Sequence, residues 1–146
     1  NFKCIRLSYV ASVKDKFISY CLNCIKNGET ANIFHPFYRN VISVSDVVDV
    51  VIWFLKHWDE YHPLILNVAG KELVSRVRIA DELNRHLGNK LEYIISSPCD
   101  DFYKNRPCIT QMKSLYMQKY KILEDNTFTE KLIKELQNIN KILCDK

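Results

Sequence analysis

Apolar residues recur along this chain at two periods, near two and near 3.6, and each changeover marks a boundary between a short strand and an amphipathic helix. Phe2 to Ala11 carries β-branched, aromatic and aliphatic side chains with little polar interruption, which predicts a strand covered on both faces. Asp15 is placed to cap a helix to about Asn27, closed by Gly28, with Phe17, Ile18, Cys21, Cys24 and Ile25 on one face. Ala31 to Phe34 reads as a short strand, His35 to Asn40 as a loop and Val41 to Val44 as a second strand. Ser45 or Asp46 then caps a helix to about His57. That helix is apolar nearly all round, from Val47 through Leu55, so it must be covered on most sides.

Leu64 to Val68 has the pattern of a buried strand stopped by Gly70. Ser75 opens a helix with Ile79, Ala80, Leu83 and Leu87 on one face, ended by Gly88, and Leu91 to Ile95 is a further strand. Ser96 to Pro107 is the most loop-like region, and a short helix is expected around Gln111 to Met117. Thr127 with Glu130 three residues later forms a capping-box signature for a last helix bearing Leu132, Ile133, Leu136, Ile139 and Leu143. The resulting order, β-α-β-β-α-β-α-β-α, is an α/β alternation. A length of 146 residues allows one domain.

Charge narrows the function classes. The formal net charge is only +4, and the lysines are dispersed with no basic block carrying interleaved aromatics, which argues against nucleic acid as a partner. The most apolar run, Val47 to Leu55, is too short to span a bilayer, so no membrane role is expected. Six cysteines at 4, 21, 24, 99, 108 and 144 lack the spacing of a disulfide scaffold. A reduced, cytoplasmic protein is expected.

The stretch from His35 to Asp46 holds the most suggestive chemistry. Arg39 follows Phe37 and Tyr38, and a planar guanidinium grips phosphate while aromatic rings flank a base or a sugar. An ion pair from Arg39 to Asp46, Asp49 or Glu60 accounts for the same residue equally well. Arg106 precedes Pro107, whose fixed φ can aim the arginine at an anion, or it is an ordinary solvated loop residue. Asp46 reads as a helix cap. Cys21 and Cys24 have C-x-x-C spacing but fall on a core face with no second ligand pair. The paired carboxylates Asp100, Asp101 and Glu124, Asp125 read as solvated. The only glycines are Gly28, Gly70 and Gly88, so neither G-x-G-x-x-G nor a P-loop exists. No tyrosine has a lysine four residues on, and there is no G-x-S-x-G.

Taken in order, Arg6-Leu7-Ser8-Tyr9-Val10, Asp15-Lys16-Phe17, Gly28, Arg39 to Asp46, Leu66-Asn67-Val68-Ala69-Gly70 and Arg106-Pro107 resemble the C-terminal portion of extended short-chain dehydrogenase/reductases. These are NAD(P)-dependent nucleotide-sugar epimerases, dehydratases and reductases, and the dTDP-4-dehydrorhamnose reductase branch is the nearest in pattern. The family's Tyr-Gly-Pro after the first strand is Ala11-Ser12-Val13 here.

The resemblance implies an α/β, Rossmann-like fold in which residues 1–146 form a single truncated domain, the substrate-binding portion of the enzyme. It implies that Arg39 and Arg106 face the phosphates of a nucleotide sugar, with Tyr9, Phe37 and Tyr38 beside the substrate. The glycine-rich loop and Tyr-x-x-x-Lys would lie in a preceding dinucleotide-binding half, the partner of this chain. NAD or NADP would belong to the intact parent, with no cofactor bound by this chain alone and no metal. On its own the chain would be inactive, and its strand edge and apolar surface would drive self-association into a homo-oligomer. The alternative is a non-catalytic regulatory or interaction module on the same scaffold.

Overall fold

A computed structural model describes residues 2–123 and 127–137. Five residues singled out in the sequence lie outside this range: Ile139, Leu143, Cys144 and the carboxylates Glu124 and Asp125. The elements run β1 (Cys4–Leu7), β2 (Tyr9–Ala11), α1 (Lys16–Asn27), β3 (Ala31–Phe34), β4 (Tyr38–Ser43), α2 (Val44–Lys56), β5 (Ile65–Val68), β6 (Leu73–Ser75), α3 (Arg76–His86), β7 (Tyr93–Ser96), α4 (Asp100–Lys104), β8 (Ile109–Thr110), α5 (Leu115–Lys119) and α6 (Phe128–Leu136). This is the expected α/β alternation.

The strands pair in three groups: β1 with β5 in parallel, β3 with β7 in parallel, and a mixed four-stranded group built on β4. Within β4, Val41 to Ser43 pair in parallel with Tyr9 to Ala11. Its first half pairs with β6 in antiparallel fashion, Tyr38 opposite Ser75 and Asn40 opposite Leu73. Tyr38 and Arg39 pair with Ile109 and Thr110 of β8. β4 therefore touches three other strands in six residues. Successive residues of β4 face opposite ways, so Val41 enters one apolar cluster and Ile42 the other. The first cluster packs α1, α3 and α6 over β3 and β6; the second packs α2, β5 and α5.

Helix ends follow local chemistry. Asp15 Oδ2 accepts from the Phe17 and Ile18 N–H groups, and Gly28 closes α1 at φ 67°. Ser75 caps α3 through the Arg78 N–H, and Thr127 with Glu130 completes the capping box of α6. α2 differs from expectation: its cap is Ser43, whose Oγ accepts from Asp46 N–H, so Asp46 lies inside the first turn and pairs with Lys131 at 2.9 Å.

Two further expectations are corrected. The first strand is broken at Ser8 into β1 and β2, and Leu7 is exposed, so it is not covered on both faces. α2 buries only Val50 and Phe54; Val44, Val48, Val51, Ile52 and Leu55 stand exposed, with Val48 at 50% and Leu55 at 67%. Those five follow the helical repeat and form one continuous apolar stripe.

Asn40 is the buried polar residue at the junction, 3% exposed. Its Nδ2 donates to Gly70 O at 3.0 Å and to Glu72 O at 3.2 Å, and its Oδ1 accepts from Met112 N–H at 2.8 Å. Gly70 passes so close to β4 that a Cβ there would sit 1.9 Å from Val41 O. Replacing Asn40 with Leu keeps the branched shape but strands one N–H and two carbonyls. We expect Asn40→Leu to lower unfolding stability by about 3 kcal/mol in urea titration; a change under about 1 kcal/mol would remove Asn40 from this role.

An arginine–aromatic cluster as candidate anion site

Phe37 and Arg39 lie two apart as the chain enters β4, and so share a side. Phe37 is buried at 9% exposure, and the Arg39 Cζ lies 4.0 Å from its ring centre. Arg39 makes no ion pair with Asp46, Asp49 or Glu60. Its Nη1 donates to Tyr38 O at 2.6 Å and Cys108 O at 3.3 Å, and its Nη2 to Pro107 O at 2.8 Å. Arg39 thereby ties β4 to the segment that carries Arg106.

That segment is packed against the His35–Phe37 loop by rings and one hydroxyl. Phe102 meets Phe34 edge-on at 4.8 Å and Phe37 at 5.8 Å. The Tyr103 hydroxyl donates to Pro36 O at 2.6 Å. The Arg106 Cζ lies 5.0 Å from the Phe102 ring centre, which brings this second arginine to the same aromatic group. Tyr38 packs edge-on against His35 with ring centres 5.5 Å apart, at the margin of the cluster.

A third arginine joins them that the sequence reading passed over. Arg76 is the first residue of α3, and its backbone N–H donates to Phe37 O at 3.2 Å. Its Cζ lies 4.3 Å from the Phe37 ring centre and 5.2 Å from that of Phe17. Burial, opposed by Tyr9 and Asp15 and reinforced by Arg106, lowers its pKa; burial and then Arg76 lower that of Arg39. Arginine stays cationic under both effects, so the three form a like-charge group. Nothing in the local pattern marks Arg76, because the first turn of a helix is an ordinary place for an exposed arginine. The clue was combinatorial: β6 pairs with the Phe37 end of β4, which delivers the start of α3 to that ring.

Tyr9 lies beside the group without being free to act. Its hydroxyl donates to Asp15 Oδ2 at 2.5 Å, the same oxygen that caps α1. Burial, then the hydrogen bond to this carboxylate, raises its pKa well above the ordinary tyrosine range. Tyr9 is a neutral donor that orients Asp15 and the start of α1.

Elsewhere, an open cleft of about 820 Å³ lies between the Ala69–Glu72 turn and α5, floored by Val41, Met112 and Met117. Among the described residues, no group of three or more His, Cys, Asp or Glu side chains could hold a metal ion. Cys21 and Cys24 are free and buried in the first core cluster. Among the described residues no helix is long and apolar enough to cross a membrane.

Solved structures share this fold. UDP-glucuronic acid 4-epimerase from Bacillus cereus, in complex with a UDP-sugar analogue and NAD, superposes with a TM-score of 0.74 at 14% identity, over 94% of this chain and 45% of its own. A dTDP-4-dehydrorhamnose reductase from Clostridium acetobutylicum gives 0.75 at 16%, over 93% and 48%. UDP-glucose 4-epimerase from Thermotoga maritima, with UDP-glucose, gives 0.74 at 15%, over 95% and 46%. No family model and no curated protein sequence matches the chain. The fold is thus the Rossmann-like α/β fold of extended short-chain dehydrogenase/reductases, and the chain spans about half the length of those structures.

Burial pushes the Cys21 thiol up to about 12, with Cys24 and Asp15 adding to the effect. The thiolate is the reactive form. In the folded protein at pH 8, Cys21 is expected to resist a thiol reagent while the exposed Cys99 reacts. Peptide mapping after a short pulse checks this; comparable labelling at both would contradict the burial.

Proposed function

We propose that this chain is the substrate-binding portion of an NAD(P)-dependent nucleotide-sugar epimerase, dehydratase or reductase, and that it does no chemistry alone. One observation carries the reading. Arg39, Arg76 and Arg106 gather on the Phe37–Phe102 rings with no carboxylate hydrogen-bonded to any of them among the described residues. Such a group calls for an anion, and the rings offer a flat surface beside it. The shared fold supports the choice of anion, since the superposed enzymes are named for UDP- and dTDP-sugar chemistry and two are described with bound UDP-sugars.

In this reading Arg39 and Arg106 meet the phosphates, with Phe37 and Tyr38 beside them, while Tyr9 acts through Asp15. NAD or NADP and the catalytic tyrosine and lysine come from a dinucleotide-binding half, and the setting is cytoplasmic. Titrating the 146-residue chain with UDP-glucose and dTDP-glucose is the test. Chemical-shift changes are expected at Phe37, Phe102 and the arginine side chains, and Arg39→Ala should weaken binding about tenfold or more. Turnover of NAD(P)H with a nucleotide sugar by this chain would refute the reading, as would an absence of binding.

The partner half has a surface to meet. β1 pairs only with β5 among the described residues, leaving its other edge free. The apolar stripe on α2, the helix that precedes β5, is uncovered. A parallel sheet is ordinarily covered on both faces, so a further strand and helix complete this side. In the isolated chain the same surface is expected to drive self-association. A double change, Val48→Glu with Leu55→Glu, should shift light scattering towards the monomer with little loss of melting temperature, since both residues are exposed. Unchanged association would rule the stripe out.

A further inference from the structure

We propose that Arg76 makes the site selective for a diphosphate over a monophosphate. The proposal rests on the nucleotide-sugar reading above and adds to it a residue and a discrimination. Arg39 and Arg76 both have their guanidinium carbons within 4.3 Å of the Phe37 ring centre, so they can be no farther apart than twice that. Arg106 is held at the adjoining Phe102 ring. Three positive charges therefore lie around one pair of adjoining rings, close enough for Arg76 to act on Arg39 and Arg106 on Arg76.

Their hydrogen-bonding states differ. Arg39 has both terminal nitrogens on backbone carbonyls. The Arg76 side chain has no hydrogen-bond acceptor among the described residues, although it is half-buried between Phe17 and Phe37. Other arginines of α3 are paired, Arg78 with Glu72 at 2.6 Å and Arg85 with Glu82 at 3.3 Å. The carboxylate that acts on Arg76, Asp15, has one oxygen occupied by Tyr9 and two backbone N–H groups. A half-buried guanidinium without an acceptor is costly, and an anion that reaches it recovers that cost.

One phosphate group can accept a planar fork from one or two arginines. Answering a third guanidinium of the same cluster requires a second anionic group next to the first. The start of α3 adds to the positive field there, since its first turn carries no acidic residue. A monophosphate seated on Arg39 and Arg106 leaves Arg76 unanswered; a diphosphate does not.

The test is calorimetric titration of the 146-residue chain at low salt with UDP-glucose, UDP, UMP and inorganic pyrophosphate. Wild type is expected to bind UDP at least about tenfold tighter than UMP. Arg76→Gln should lose about tenfold in UDP affinity, leave UMP nearly unchanged and so collapse the ratio. Arg76→Lys, which keeps the charge but not the fork, should fall between them. Arg78→Gln, in the same helix but paired with Glu72, should bind like wild type. Because Arg76→Gln also removes repulsion, its ligand-free melting temperature should not drop. If it does unfold, the ratio in Arg76→Lys decides instead. A wild-type UDP/UMP ratio in either folded variant overturns the proposal while UDP-glucose binding persists. Pyrophosphate binding as tight as UDP-glucose, lost on Arg76→Gln, keeps Arg76 and overturns the nucleotide-sugar reading. No binding of any of the four overturns both.

Discussion

The amide of Asn40 holds the molecule's central strand in place. One side chain answers two carbonyls of the Gly70–Glu72 turn and one N–H of the segment entering α5. Donor and acceptor ends are both used, which fixes the orientation of the amide as well as its position. β4 could slide by one residue only by breaking all three bonds and exchanging the two apolar clusters that Val41 and Ile42 enter. The same slip would turn Phe37 and Arg39 away from Arg76 and Arg106. A buried polar network of this kind sets register, and here register sets the site.

Electrostatics and packing pull against each other at that site. Gathering three guanidinium groups costs energy, and burial adds to the cost for Arg39 and Arg76. Contacts with Phe17, Phe37 and Phe102 offset part of it. Arg39 recovers more through backbone carbonyls, where an ion pair would have neutralised it. The positive charge is thus retained in a partly dry place. A ligand that neutralises it binds the folded chain alone and so stabilises it by linkage.

Much of the fold was legible because helix ends are written in a few residues. Asp15, Ser75 and the Thr127–Glu130 pair each cap the helix they were expected to cap, since the capping oxygen needs only the next three residues. What was not legible depended on distant partners. β6 and β8 are three and two residues long and exist only because β4 pairs with them. Tyr38 to Asn40 read as loop for the same reason. At α2 the cap was expected at Ser45 or Asp46 and falls instead at Ser43, because β4 carries the chain through Ser43 in extended form. Arg39 and Arg106 stood out beside aromatics and proline, whereas Arg76 reached the cluster through strand pairing, which one sequence does not display.

α2 shows why an apolar pattern does not by itself imply a covered helix. Its buried residues, Val50 and Phe54, serve the second cluster, and the opposite stripe serves nothing within the described chain. The stripe nevertheless bears on the site through the shared joint at Ser43. Ser43 ends β4, pairs with Ala11 and caps α2 with its side chain. Val44, the first residue of the stripe, follows it directly. Covering α2 would hold Ser43, and Ser43 holds the same strand whose other end positions Phe37 and Arg39. In the proposed reading, docking and anion recognition would meet in one six-residue strand, and ordering either end would lower the entropic cost of ordering the other.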